Sequence, residues 1–150
     1  MVEFFNIKNK LEDLETTMDL IYKQWGQFLK KSKYERINSI IFAIKNNLNF
    51  PEVYIMKLKN EVIGTFTIKE MEIENEGKFP SVWYLLIKEE YRKKGYGKLL
   101  LEYLNNICEK FSQIYLLTEH TGLYEKIGFK FIKETNHNGQ LDRLYVKTNN

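Results

Sequence analysis

A mixed α/β domain, with helices packed on a sheet that is antiparallel at both ends and has one parallel step in its middle, is the fold class that this 150-residue sequence predicts. Three observations carry it. Two N-terminal stretches have helical period, hairpin patterns stand on either side of the chain's middle, and between the hairpins a strand runs through a two-glycine turn into an amphipathic helix and a further strand.

The elements follow in order. Leu11, Leu14, Met18, Ile21, Tyr22, Trp25, Phe28 and Leu29 recur at helical spacing over residues 11–29. A second helix starts near Lys33, carries Ile37, Ile40, Ile41 and Ile44, and fades in the asparagine-rich run before Pro51. Residues 53–58 alternate as a strand, Lys59-Asn60-Glu61 turns the chain, and residues 62–71 return as the hairpin partner. An acidic segment then ends at Pro80, and residues 82–87 form the next strand. After Gly97, Leu100, Leu104, Ile107, Cys108 and Phe111 give a helix one apolar face. Residues 113–118 are a short strand one helix beyond residues 82–87, which suits two parallel neighbours joined by a right-handed crossover. A brief helix around residues 123–127 ends at Gly128, a natural C-cap, and residues 129–134 and 140–147 pair around Asn136-His137-Asn138-Gly139.

Composition sets the class. With 43% hydrophobic and 15% aromatic residues the chain has the apolar material for a core, and neither a repeat nor a Pro/Gly/Ser linker divides it, so residues 1–150 are expected to form one domain. The longest apolar runs fall far short of the roughly 20 residues that cross a bilayer, and the first residues lack a basic leader, which gives a cytoplasmic expectation with no membrane partner. Cys108 is the one cysteine; no intramolecular disulfide or cysteine-based zinc site is possible, and its place on an apolar helix stripe reads as a buried structural thiol. A net charge of +3, with 20 acids dispersed among 23 bases, argues against a dedicated nucleic-acid binder.

The densest cationic cluster sits at one turn. Arg92, Lys93, Lys94 and Lys98 surround Gly95, Tyr96 and Gly97, where a strand gives way to a helix. The first four N–H groups of a helix lack internal acceptors and, with the aligned peptide dipoles, offer positive potential to an anion. Glycine lets the backbone take positive φ and come close to a phosphate. The turn therefore reads as a phosphate cradle, with a tight turn on a solvated basic face as the other reading of the same residues. Leu100 occupies the place of the third glycine in a dinucleotide fingerprint, and no Gly-Lys-Ser/Thr is present for a P-loop.

Two segments then resemble one family. Arg92-Lys93-Lys94-Gly95-Tyr96-Gly97 resembles the acetyl-CoA signature Arg/Gln-x-x-Gly-x-Gly/Ala of the GNAT superfamily of N-acetyltransferases. Leu123-Tyr124-Glu125-Lys126-Ile127-Gly128-Phe129 is similar to its second landmark, a short helix bearing a tyrosine and closing on Gly-Phe. The resemblance covers roughly residues 53–147 and implies a GNAT-like sheet with a splayed parallel strand pair.

It also implies roles. Backbone amides around residues 93–98 would hold the pyrophosphate of acetyl-CoA, the co-substrate, with Arg92 and Lys98 as supporting cations; the main chain of Leu85 and Ile87 would dock the pantetheine arm. Tyr124 would be the general acid that protonates the departing thiolate. Many family members carry a glutamate or histidine on the strand before the cradle, whereas residues 81–87 contain neither, so Glu119 and His120 are the candidate base or relay; His137 reads as surface. No metal is implied. The acceptor would be a small-molecule or peptide amine, taken by direct attack in a ternary complex by a monomer or homodimer. Competing readings are a non-catalytic acyl-CoA-binding module and a nucleic-acid-binding domain using the basic turn. Glu70, Glu72, Glu74 and Glu76, at period two, read either as a solvated strand end or as an electrostatic funnel for a cationic amine.

Overall fold

A computed structural model describes residues 1–137 and 139–149, without the side chain of His137, so the surface expectation for that histidine lies outside the described residues. Seven strands form one sheet in the order β1-β2-β3-β4-β5-β7-β6. They are β1 (Val2–Asn6), β2 (Glu52–Leu58), β3 (Glu61–Ile73), β4 (Gly77–Ile87), β5 (Gln113–Thr118), β6 (Lys130–His137) and β7 (Gln140–Thr148), with α1 (Leu14–Trp25), α2 (Lys33–Lys45) and α3 (Tyr96–Cys108). Every neighbouring pair is antiparallel except β4 and β5, which is the mixed sheet expected from the sequence.

Three boundaries differ from expectation, each for a physical reason. Strand β1 had no polar alternation to reveal it because both its faces are covered: Phe4 stacks on Tyr103 of α3 at 4.2 Å, while Phe5 joins the opposite core. The first helix is shorter than residues 11–29. Its apolar period runs on into 3-10 turns at Leu11–Asp13 and Gly26–Phe28, whose Leu11 and Phe28 are exposed. Strand β4 begins at Gly77, not after Pro80, since Met71 and Ile73 pack with Tyr115, Leu144 and Phe79 and extend the β3/β4 hairpin to the pair Ile73↔Gly77. Helix α2 starts where expected. Ser32 and Glu35 form a reciprocal capping box over its first turn.

The sheet separates two cores. On one face α3 lays Leu100, Leu101, Leu104, Ile107 and Cys108 against Phe66, Ile68, Val82, Ile87 and Ile114. On the other, α1 and α2 bring Leu14, Met18, Ile21 and Ile40 against Val53, Ile55, Val62 and Leu86. Cys108 is fully buried, as its stripe position implied. A buried ion pair, Lys57 to Asp13 at 2.7 Å, ties β2 to the turn before α1.

Strand β4 is where the sheet opens. Thr65 pairs with Leu86 and Thr67 with Trp83, so two residues of β4, Tyr84 and Leu85, oppose the single Phe66. This is a β-bulge, and Tyr84 within it has φ +54, unusual for a bulky side chain. Pairing with β5 consists of Ser81↔Tyr115 and Val82↔Leu116. Past the bulge β4 continues beside β3, while Leu117 and Thr118 of β5 continue beside β7.

The bulged end of β4 lies so close to β3 and α3 that a side chain at position 64 would have to displace its neighbours. A Cβ there would stand 2.9 Å from Ile87 Cδ1, 3.3 Å from the Leu86 carbonyl oxygen and 3.4 Å from Leu100 Cδ2. Gly64→Ala is therefore expected to lower stability by about 1–3 kcal/mol through overpacking. Chemical denaturation checks this; an unchanged midpoint would mean that the strand end yields freely.

Candidate active site

The turn between β4 and α3 is built in layers. Lys88 N–H donates to the Ile63 carbonyl oxygen at 2.7 Å, fixing the end of β4 on β3. Lys88 Nζ then pairs with Glu61 at 2.6 Å, and the Tyr91 hydroxyl donates to the same carboxylate at 2.6 Å. The Lys88 and Tyr91 hydrogen bonds hold the Glu61 carboxyl below its ordinary range. Beyond this clamp Lys93 takes φ +62 and Gly95 φ +90, and α3 begins with no side chain capping its first turn and no acid within it. No side chain caps its leading N–H groups among the described residues, the arrangement in which a helix N-terminus can accept an anion. A Cβ on Gly97 would meet nothing within 4 Å, so the absent side chain leaves open space over the backbone rather than relieving a protein contact.

The cations of this turn divide. Lys93, Lys94 and Lys98 are exposed, with Lys94 drawn over the Tyr91 ring at 5.9 Å. Arg92 instead turns back: its Nε donates to the Ile87 carbonyl oxygen at 2.7 Å and an Nη to Gln24 Oε1 of α1 at 3.1 Å. Because Lys88 faces β3, strand alternation aims the main-chain groups of Ile87 and Leu85 away from β3, into the opening. The Ile87 carbonyl there is already taken by Arg92; the Arg92 hydrogen bond agrees with that direction.

Tyr124 comes from a 3-10 turn (Tyr124–Ile127) after β5. Phe129 N–H and Gly128 N–H close the turn on the Tyr124 and Glu125 carbonyl oxygens, with Gly128 in the left-handed conformation expected of a C-cap. Neighbouring elements hold it from outside. The Tyr145 hydroxyl of β7 donates to the Glu125 carboxylate at 3.2 Å, and Lys147 Nζ donates to the Ile127 carbonyl oxygen at 2.7 Å and to Asn105 Oδ1 of α3. The N–H groups of Glu125 itself and of Gly122 keep the Glu125 carboxyl low. Tyr124 packs edge-on to Phe129 in the α3-side core, and among the described residues its hydroxyl has no hydrogen-bond partner. Burial pushes its phenol up to about 12.

Glu119 and His120 lie on the exposed loop at the end of β5. Glu119 accepts a long hydrogen bond, 3.4 Å, from Gln140, and His120 donates its backbone N–H to Thr118 Oγ1 at 3.1 Å. The four glutamates do not form one row: Glu70 and Glu72 are on β3, and the turn follows at residues 74–76. Alternation places Glu70 and Glu72 on the α3 face, with Ile68, while Met71 and Ile73 face the other way. Residues missed by sequence reading are Arg36, Lys69 and Tyr84 on the α1/α2 face of the opening, and Tyr145 and Lys147 behind Tyr124. The one available signal was Lys69, a charge closing the apolar run Val62 to Ile68.

A seven-stranded mixed sheet that opens at its one parallel pair, with an uncapped, glycine-led helix on one face of the opening, defines an acetyltransferase-type fold. The chain belongs to the GNAT acetyltransferase family, whose acetyltransferase (GNAT) domain profile matches residues 49–131, more than half of its length. An uncharacterized N-acetyltransferase of Chlorobaculum tepidum is 28% identical over 120 residues, 75% of this chain and 65% of the relative, so the match spans a little under two thirds of that protein. Among solved structures, a chimera of spermidine N-acetyltransferase SpeG from Vibrio cholerae and hSSAT has a TM-score of 0.74 at 16% identity, covering 98% of this chain and 95% of that one. The PaiA N-acetyltransferase of Thermoplasma acidophilum, solved with coenzyme A, has a TM-score of 0.67 at 22% identity, covering 99% of each. At these identities the structures bear on the fold. The family supports acetyl transfer in general.

The raised phenol has a consequence in alkali. In the unfolded chain Tyr124 ionises near 10, whereas the fold keeps it protonated to about 12. The stability this contributes is complete below pH 10 and is lost as pH rises from 10 towards 12. Tyr124→Phe should remove that part of the alkaline loss, read from denaturation midpoints measured across this window; identical slopes in both proteins would contradict the raised phenol.

Proposed function

We propose that residues 1–150 act as one cytoplasmic catalytic domain that transfers the acetyl group of acetyl-CoA to a primary amine in a ternary complex. The observation that carries this reading is the opening between β4 and β5 beside the bare first turn of α3. The N–H groups of residues 93–98 hold the pyrophosphate, with Lys93, Lys94 and Lys98 adding positive charge and Arg92 keeping the end of β4 in line. Open space above Gly97 suits close approach of that group. Leu85 presents its main-chain groups, and Ile87 its N–H, to the pantetheine amides in the manner of an added strand.

In the reaction a neutral amine attacks the thioester carbonyl carbon, a C–N bond forms and the C–S bond breaks. Tyr124, protonated across the physiological range, gives its proton to the leaving sulfur. The ammonium proton of the tetrahedral adduct passes to solvent through Glu119 or His120, and the tyrosinate recovers its proton from water. Burial suits the phenol to this work because it disfavours standing ionisation, so the group is always loaded as an acid. The spermidine N-acetyltransferase neighbour takes an amine, and the same acceptor chemistry is proposed for this chain.

Two measurements test the reading. Saturating acetyl-CoA should raise the melting temperature, and Gly97→Val should abolish that rise while leaving the ligand-free melting temperature near that of the parent, since its side chain meets only open space. No stabilisation by acetyl-CoA would remove the central claim. Tyr124→Phe should lower kcat by about 10²–10⁴ with acetyl-CoA affinity retained, the usual worth of a positioned acid. Unaltered turnover would assign proton delivery elsewhere.

A further inference from the structure

On the sheet face opposite α3, beside the bulge, two cations come near one tyrosine ring, and among the described residues neither meets a counter-charge. Lys69 Nζ donates to the Tyr84 hydroxyl at 3.1 Å and lies 4.3 Å from the centroid of the Trp83 ring and 5.0 Å from that of Tyr84. The Arg36 guanidinium of α2 stands 5.6 Å from the centroid of the same Tyr84 ring. Trp25 of α1 closes the side of this pocket, its ring 5.7 Å from that of Tyr84. Among the described residues neither Arg36 nor Lys69 forms a salt bridge. Arg36 Nε is buried with no hydrogen-bond partner, and so is Thr67 Oγ1, two residues before Lys69 on the same strand face.

Such an arrangement is costly in an empty protein. Two like charges held partly out of water repel, and each is dearest where nothing of opposite sign compensates it. Lys69 registers this: burial first, then Arg36 and Lys31, bring its ammonium down to about 8. Both side chains are half-buried, and the groups that meet their heads are neutral tyrosine hydroxyls and rings rather than carboxylates. The phosphates of a ligand in the α3 cradle lie on the other face of the sheet and do not supply the missing charge. The pocket is instead next to the strand opening, on the face opposite the cradle helix.

We propose that Arg36 and Lys69 form an anion-binding subsite that seats the acidic group, carboxylate or phosphate, of an acceptor that also carries the amine. This deepens the acetyltransferase reading and rests on it. The guanidinium fork matches a two-oxygen acid, the ammonium supplies a second positive charge, and the Trp25, Tyr84 and Trp83 rings wall the site for the acceptor's apolar body. Release of the Tyr84 hydroxyl frees the Lys69 donor for the incoming acid. The same charge pattern disfavours polycations, in contrast to the glutamate funnel, whose Glu70 and Glu72 are on the far face.

The test uses the intact chain. Its two tryptophans, Trp25 and Trp83, both border the pocket, so intrinsic fluorescence reports this site without turnover. Titration with inorganic phosphate and with benzoate, at constant ionic strength set by chloride, should give a saturable change for at least one anion, and the pair distinguishes phosphate from carboxylate. Arg36→Gln and Lys69→Met should weaken that binding tenfold or more, and Arg36→Lys should restore part of it, while the acetyl-CoA-induced melting shift stays intact. Thiol release from acetyl-CoA is then compared for L-phenylalanine against L-phenylalaninamide, phosphoethanolamine against ethanolamine, and spermidine. An amine that carries the acid should exceed its partner that lacks it, and spermidine, at least tenfold in kcat/KM, and Arg36→Gln should raise its KM. No saturable fluorescence change with either anion, anion binding indifferent to both substitutions, or a preference for spermidine or the amines that lack the acid overturns the subsite while acetyl-CoA stabilisation leaves the acetyltransferase reading standing. Loss of that stabilisation in the parent protein removes both.

Discussion

One inserted residue in β4 governs the rest of the molecule. With equal counts on β3 and β4, alternation would carry Tyr84 to the α3 face and Leu85 to the other. The bulge instead puts Trp83 and Tyr84 on the α1/α2 side and returns Leu85 and Ile87 to the α3 side. Left-handed backbone at a tyrosine costs about 1–3 kcal/mol. Packing of Trp25, Arg36 and Lys69 around its ring holds it there. The local rise in strand twist at a bulge accompanies the parting of β4 from β5, so the break in the ladder and the two chemistries on either side share one origin.

The two loops that meet the opening are fixed by unrelated devices. The cradle turn hangs on charge: Glu61 gathers Lys88 and Tyr91, and Arg92 spans from β4 to α1. The Tyr124 turn hangs on its neighbours' long side chains, with Tyr145 at Glu125 and Lys147 reaching both Ile127 and Asn105. Neither anchor needs a ligand. The opening is thus lined by groups held before any substrate arrives, the condition under which fixed dipoles act most strongly on developing charge.

Legibility in the sequence followed the range of the forces involved. Helix α2, the hairpin at Lys59-Asn60, the glycine turn and the Gly128 stop depend on neighbours a few residues away, and their patterns were readable. Strand β1 was hidden because Phe4 and Phe5 are claimed by opposite cores, and the early start of β4 because Tyr115 and Leu144, distant in sequence, cover Met71 and Ile73. The site divided in the same way. Gly95, Gly97 and Tyr124 stand in compact motifs, whereas the pairing of Arg36 with Lys69 exists only once α2 lies across β3 and β4, and the inward turn of Arg92 needs Gln24 of α1 to complete it.

Cys108, the buried last residue of α3, has a practical meaning beyond packing. Burial lifts its thiol to about 12, and the Asn149 amide bonds the Cys108 and Phe111 carbonyl oxygens at 2.9 and 2.8 Å, pinning the chain end over the helix terminus. The folded protein is therefore silent towards reagents that colour on contact with a thiolate. A sulfhydryl that such a reagent counts while the chain stays folded is not that of Cys108, and denaturant uncovers this one thiol. The single cysteine is an internal tally of how many molecules are still folded.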